Sequence, residues 1–179
     1  MKSVKWVEDQ ILSIKIDEGI YSLAQMRKNS LMEFFDVRRD SDTWKNIDLN
    51  KENIIFCLFV TEKKIKPIFS SIVDASKVSP NKRPIKKKML SAIFGQGPKG
   101  GAKLIELTDN YSSYQAKIIK DNLSITTDIS EIYDNELCGM VGDPEKIRKR
   151  LIIYFNTGVN WDESKGFIFS GVPLPPPTR

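Results

Sequence analysis

Between Asp121 and Glu145 the chain carries seven carboxylates, Asp121, Asp128, Glu131, Asp134, Glu136, Asp143 and Glu145, and no lysine or arginine. Such a run can stay solvated, hold a divalent cation between paired carboxylates, or imitate a phosphate backbone and dock onto a basic groove such as a nuclease active site. It contains no D-x-D pair to sharpen the cation reading, so no metal site and no cofactor is expected. If the run is a docking face, Asp128, Glu131, Asp134 and Glu136 are the candidate contacts. Asp143 and Glu145 instead suit the positive end of a helix that begins there.

The opposite chemistry precedes it. From Ala75 to Ile105 there is no acid, and eight cations fall in that stretch, Lys77, Lys82, Arg83, Lys86, Lys87, Lys88, Lys99 and Lys103. These eight charges against a net +5 leave −3 for the remainder. Lys82, Arg83, Lys86, Lys87 and Lys88 form the densest part. As a nucleic-acid-binding module, the segment 77–103 would make strong, salt-dependent phosphate contacts. It interleaves a single aromatic, Phe94, so stacking on bases is poorly served. A solvated loop and a protein-facing surface are the competing readings.

Inside the basic stretch, AIFGQGPKGGAK (Ala92–Lys103) imitates a phosphate loop. A P-loop requires lysine and then a hydroxyl directly after its last glycine, opening a helix. Counting from Gly95, the second glycine falls at Gly100, but Gly101 and Ala102 follow it. The dinucleotide spacing of Gly95, Gly97 and Gly100 is broken by Pro98 and by the strand-like AKLIEL that comes next. The loop is read as a surface connection.

The chain has no histidine. That removes Ser-His-Asp and Cys-His catalysis, imidazole bases and every histidine-containing metal site. Of the two cysteines, Cys57 lies within the apolar IIFCLFV, where it reads as a small buried hydrophobe, and Cys138 is 81 residues away. Two cysteines cannot make a tetrahedral zinc site alone. No enzyme is expected.

The elements that would position these groups are read from period and punctuation. Ile11–Ile16 and Ile20–Lys28 alternate apolar and polar residues around Asp17–Gly19, the pattern of a hairpin whose turn uses Gly19. Ser30–Val37 and Asn53–Val60 read as further strands, and Lys64–Val73 as one that Pro67 places at an edge or bend. In the basic stretch, prolines at 80, 84 and 98 and glycines at 95, 97, 100 and 101 argue for a long loop, with a short helix over Ile85–Phe94. Ala102–Asp109 and Tyr114–Asp128 return to strand patterning, the latter with a turn at Asp121–Asn122. One helix is well marked: Asp143 as N-cap, Pro144 at its first position, a stripe of Ile147, Leu151, Tyr154 and Phe155, and Gly158 at its end. The tail GVPLPPPTR (171–179) reads as an extended terminus.

WVEDQILSIKIDEGIYSLAQM, at the start of the chain, resembles the opening of the immunity protein 26 family of bacterial polymorphic toxin systems. Glu8-Asp9 stands where the family has its GD pair, Ile14–Ile16 in its first strand, and Asp17–Tyr21 in its turn with Glu18 inserted. IIFCLFVTEKKIKPI is similar to a later apolar strand of that family, so the resemblance covers roughly the first 70 residues. It implies a protein that binds a cognate toxin and blocks it in the producing cell, and it carries over no catalytic residues.

The expectation is therefore one α+β domain over 1–179, mostly antiparallel sheet, with one C-terminal helix, a basic loop insertion about 75–103 and a Pro-rich tail 171–179. Its function would be stoichiometric neutralisation of a toxin, with a nuclease as the candidate toxin class and nucleic-acid binding as the alternative. MKSVKWVEDQ lacks the apolar core of a secretory signal, and no stretch approaches the roughly 18 apolar residues of a spanning helix, so a cytoplasmic location is expected.

Overall fold

The computed structural model describes residues 4–93 and 101–179. In chain order the strands are β1 (Ile11–Asp17), β2 (Ile20–Met26), β3 (Leu31–Arg39), β4 (Ile47–Asp48), β5 (Ile54–Phe59), β6 (Phe69–Val73), β7 (Val78–Ser79), β8 (Lys88–Ile93), β9 (Gly101–Glu106) and β10 (Lys117–Lys120). The helices are α1 (Glu62–Ile65), α2 (Ile129–Asp134), α3 (Pro144–Thr157) and α4 (Glu163–Ile168). The architecture is α+β, dominated by antiparallel sheet.

A five-stranded antiparallel sheet in the order β5-β3-β2-β1-β6 carries the main core. The expected hairpin is β1–β2, pairing Ile14 with Ser22 and Lys15 with Tyr21, and Gly19 turns it at φ 63°. Alternation sends Leu12, Ala24, Phe34, Phe56 and Leu58 to one face, where they pack on Ile147, Leu151 and Tyr154 of α3. Those three are the stripe expected for that helix. Its caps are also as expected. The Asp143 carboxylate accepts the Glu145 N–H at 3.0 Å, and Gly158, at φ 75°, gives its N–H to the Tyr154 carbonyl at 2.8 Å.

The other face of the sheet is covered in two parts. Leu23, Phe35 and Val37 bury against Trp44, Leu49 and Val78. Leu31 and Phe59 bury against Ile85, Met89, Ile105 and Leu107, in and beside a three-stranded sheet ordered β10-β9-β8. The far face of that second sheet, through Leu90, Ala102 and Leu104, packs on Leu123, Ile132 of α2 and Phe169 beyond α4.

Three expectations are corrected. The short helix over Ile85–Phe94 is a strand, β8, paired along its length with β9; Phe94 lies outside the described residues. Its run Met89-Leu90 sends one side chain to each of two cores, which a strand between layers does and a surface helix does not. The strand expected over Lys64–Val73 begins as the helical turn α1, bends around Pro67 and becomes strand at Phe69, where it forms the sheet edge. In Tyr114–Asp128 only Lys117–Lys120 is strand, followed by a turn with Asn122 at φ 50°.

Around Asn81 and Ile85 the basic stretch is tethered to the domain. Asn81 gives its N–H to Gln25 Oε1 at 2.7 Å, and its carbonyl takes Gln25 Nε2 at 3.0 Å, so the β2 side chain clasps the loop backbone reciprocally. Asn81 and Ile85 are buried. The Pro-rich tail is extended and docked: Pro175 is buried, Tyr133 donates to the Pro173 carbonyl, and Thr178 donates to the Gly158 carbonyl. Both cysteines are free. No helix among the described residues is long and apolar enough to cross a membrane.

Candidate binding cleft

A cleft of about 470 Å³ opens beside β5, the outer strand of the five-stranded sheet. Ile54–Cys57 form one wall. Arg83, Pro84, Lys86, Lys88 and Met89 form the opposite wall, Tyr133, Asp134 and Glu136 close one end, and Pro175, Pro176 and Thr178 of the tail contribute to the rim. Residues from the acidic run and the basic run, 48 positions apart for Lys86 and Asp134, thus converge on one concavity of the size that small ligands and side-chain anchors fill.

The basic residues are sorted by the period of the backbone. Lys86 and Lys88 line the cleft. Lys87, between them, points away, meets Asp109 at 2.6 Å and lies over the Tyr111 ring. Lys82 pairs with Asp9. Arg83 gives Nε to Asn81 Oδ1 and Nη2 to the carbonyls of Leu49 and Glu52. Lys86 donates to the Asp134 main-chain carbonyl at 2.6 Å. Among the described residues, Arg83, Lys86 and Lys88 have no carboxylate within ion-pair distance, unlike Lys82, Lys87 and Lys103. The glycines at 95, 97 and 100 and Lys99 lie outside the described residues.

The four acidic candidates do not form one face. Asp128 is buried, accepts from the Ser124 N–H at 2.9 Å and pairs with Lys120; the Lys120 hydrogen bond holds its carboxyl below the usual range. Glu136 is buried in a two-pronged pair with Arg150, at 2.7 and 2.8 Å. Burial pushes its carboxyl up, but the charges of Arg150, Lys165 and Lys86 and the Arg150 hydrogen bond together bring it below the ordinary glutamate value. Only Glu131, half-buried, and Asp134, exposed, remain at the surface.

Sequence reasoning missed the buried polar groups behind the cleft. Glu33 sits 1% exposed across from Cys57 on the same sheet face, and its Oε2 takes Arg27 at 2.7 Å and Asn81 Nδ2 at 2.8 Å. Burial drives its carboxyl up, and the bonds from Asn81 and Arg27 only partly offset that. Lys165, fully buried on α4, donates to the Ile132 carbonyl at 2.7 Å; burial lowers its ammonium. The one available signal was a charge inside an apolar strand, Glu33 within LMEFF.

Burial pushes the Cys57 thiol well up, with the carboxylates of Glu33 and Glu136 adding to it, and burial raises Cys138 as well. Neither is poised as a thiolate nucleophile. No group of three metal-ligating side chains occurs among the described residues. The arrangement can bind: it offers lysines that make no ion pair among the described residues, an exposed acid and apolar walls.

An α+β domain with a charged cleft at a sheet edge is the class that fold and site define. The chain belongs to the family described as Domain of unknown function (DUF8309), which it matches over residues 1–173. Nothing among curated proteins or solved structures matches it.

Proposed function

We propose that the protein is an immunity protein that neutralises a cognate bacterial toxin by stoichiometric association in the cytoplasm of the producing cell. The observation that carries this reading is the convergence of both charge runs on one cleft, where among the described residues Lys86 and Lys88 make no ion pair and the nearest acids, Glu33 and Glu136, are held by arginines. Unspent charge beside apolar surface favours recognition of a macromolecule, steering its encounter and fixing its orientation. An interface of about 1,200–2,000 Å² would extend from the cleft over Glu131 and Asp134 at its rim. Asp128 and Glu136 support the fold in this reading and do not meet the partner.

The test is co-expression with the product of the neighbouring upstream gene. The expected result is protection of the cells and co-purification of the two chains in equal amounts. Absence of both would remove the proposal. Lys86 and Lys88 favour one second reading, a nucleic-acid-binding module. It requires a gel shift with DNA or RNA that weakens steeply with salt and is lost in a K86A/K87A/K88A variant.

A further inference from the structure

The edge of β5 is bridged in parallel by Met140 at Phe59 and bonded by Asn160 at Ile55, which leaves one outward-facing residue, Cys57, between them. The Ile55 carbonyl points out of the sheet to Asn160 Nδ2, and the Phe59 carbonyl points out to the Val141 N–H. Val60 turns the other way, giving its N–H to the Ser30 carbonyl on the β3 side. In an antiparallel ladder, successive residues direct their N–H and C=O groups alternately to the two sides. The main-chain groups of Cys57, midway between Ile55 and Phe59, therefore also point outward, and Cys57 lines the cleft. Among the described residues no main-chain or side-chain hydrogen bond reaches them from that side. One donor and one acceptor on the same residue is what a single residue of an extended segment crossing the cleft satisfies.

Across the cleft stand Lys86 and Lys88, two residues apart and directed to the same side. An extended polypeptide repeats its side-chain direction every second residue, so carboxylates at alternate positions match that pair. The cleft's own acids make no ion pair with it among the described residues. Glu33 is held by Arg27 and Asn81, Glu136 is held by both prongs of Arg150, and Asp134 engages Lys86 through its main-chain carbonyl only. Ile54, Met89 and Pro84 offer apolar contact for the intervening side chain.

We infer that the cleft is a docking site for an extended, acidic polypeptide segment, which adds to the edge of β5 at Cys57 and places carboxylates against Lys86 and Lys88. The inference deepens the proposed function by naming what the partner inserts, and it rests on that reading only for the partner's identity.

The experiment uses the full chain and a phage-displayed library of random heptapeptides. Selected peptides should be rich in Asp or Glu at alternating positions and free of central proline. They should bind the K86E/K88E variant at least about tenfold more weakly, a measurable loss for charge pairs at an interface. Bound peptide should also slow hydrogen exchange at the Cys57 amide, which distinguishes strand addition from loose charge contact. The circular dichroism of K86E/K88E should match wild type, since neither lysine is buried.

Neutral or basic winners, equal binding to the charge-reversed variant, unchanged Cys57 exchange or failure to select any binder would each overturn the inference. So would single-stranded oligonucleotide binding that K86E/K88E abolishes, because the cleft would then take nucleic acid. Cell protection that persists with K86E/K88E would sink the docking site alone. Peptide binding without any protection by wild type would sink the immunity reading alone.

Discussion

Two glutamate–arginine pairs are buried at the same cleft, and they are held in different ways. Glu136 meets Arg150 through both oxygens, with Lys165 and Lys86 adding positive charge, and its carboxyl falls below the ordinary value. Glu33 receives Arg27 and Asn81 on one oxygen, and its carboxyl rises above the ordinary value. Both are largely shielded from water, the Glu33 side chain at 1% exposure and the Glu136 side chain at 11%. The difference lies in how many charged donors replace the lost solvent. Burial alone disfavours a carboxylate; a planar guanidinium engaged on both prongs reverses that, and a single prong with an amide does not.

The strongest break in this comparison is Glu136→Ala. It strands the Arg150 guanidinium beneath α3, over the Phe56 ring, and should cost about 3–5 kcal/mol in urea unfolding. A loss under about 1 kcal/mol would mean that solvent reaches Arg150 and that the pair is not closed. Glu33→Gln should cost less, about 1–3 kcal/mol, because an amide oxygen still accepts from Arg27 and Asn81. Equal losses at the two sites would erase the distinction drawn from their geometry.

Asp143→Ala separates the Arg150 pair from the helix that carries it. Loss of the cap should cost about 0.5–2 kcal/mol in urea unfolding. A loss as large as that of Glu136→Ala would show that the helix start and the Glu136 pair are coupled.

The smallest effect is the sharpest in sign. Glu136 is lowered on folding, so it contributes stability above the ordinary glutamate pKa, and that contribution is lost as pH falls through its folded value. Glu33 is raised, so its contribution is greatest below the ordinary value and is lost as pH rises through its folded value. Unfolding free energies from about pH 3 to pH 7 should therefore change slope in opposite senses in two variants. Glu33→Gln should make stability rise more steeply just above the ordinary value. Glu136→Gln should flatten the curve just below it. The same change in both would refute the opposed shifts.

The parts of the molecule that repeat were legible in the sequence. β1 and β2 announced themselves by alternation, β3 and β5 by apolar runs, and α3 by Asp143, Pro144 and Gly158, because each signal is local. In the second sheet β9 was legible within Ala102–Asp109 and β10 within Tyr114–Asp128, but β8 was not. Met89-Leu90 lies in an apolar run that fits either period, and only the presence of a core on each side decides for a strand. The helices α2 and α4, six residues each, are too short for a stripe to show. The site was half legible. Charge segregation drew attention to residues 82–88 and 128–136, but composition cannot separate a solvated Asp134 from a buried Glu136 two positions on. That depends on Arg150, fourteen residues away, and on the sheet edge facing both.

The alternation of Lys86, Lys87 and Lys88 also bears on how the gene can drift. Exchange of any of these three lysines for arginine keeps the charge on its own side of the strand. Loss or gain of one codon between Ile85 and Met89 does not, because a one-residue slip swaps the two sides of everything beyond it. Lys87 would then face the cleft, and Met89 would leave the core it shares with Leu31 and Phe59. Related genes should therefore vary freely in which basic residue they encode here and hardly at all in how many residues they place between the Asn81 clasp and β8.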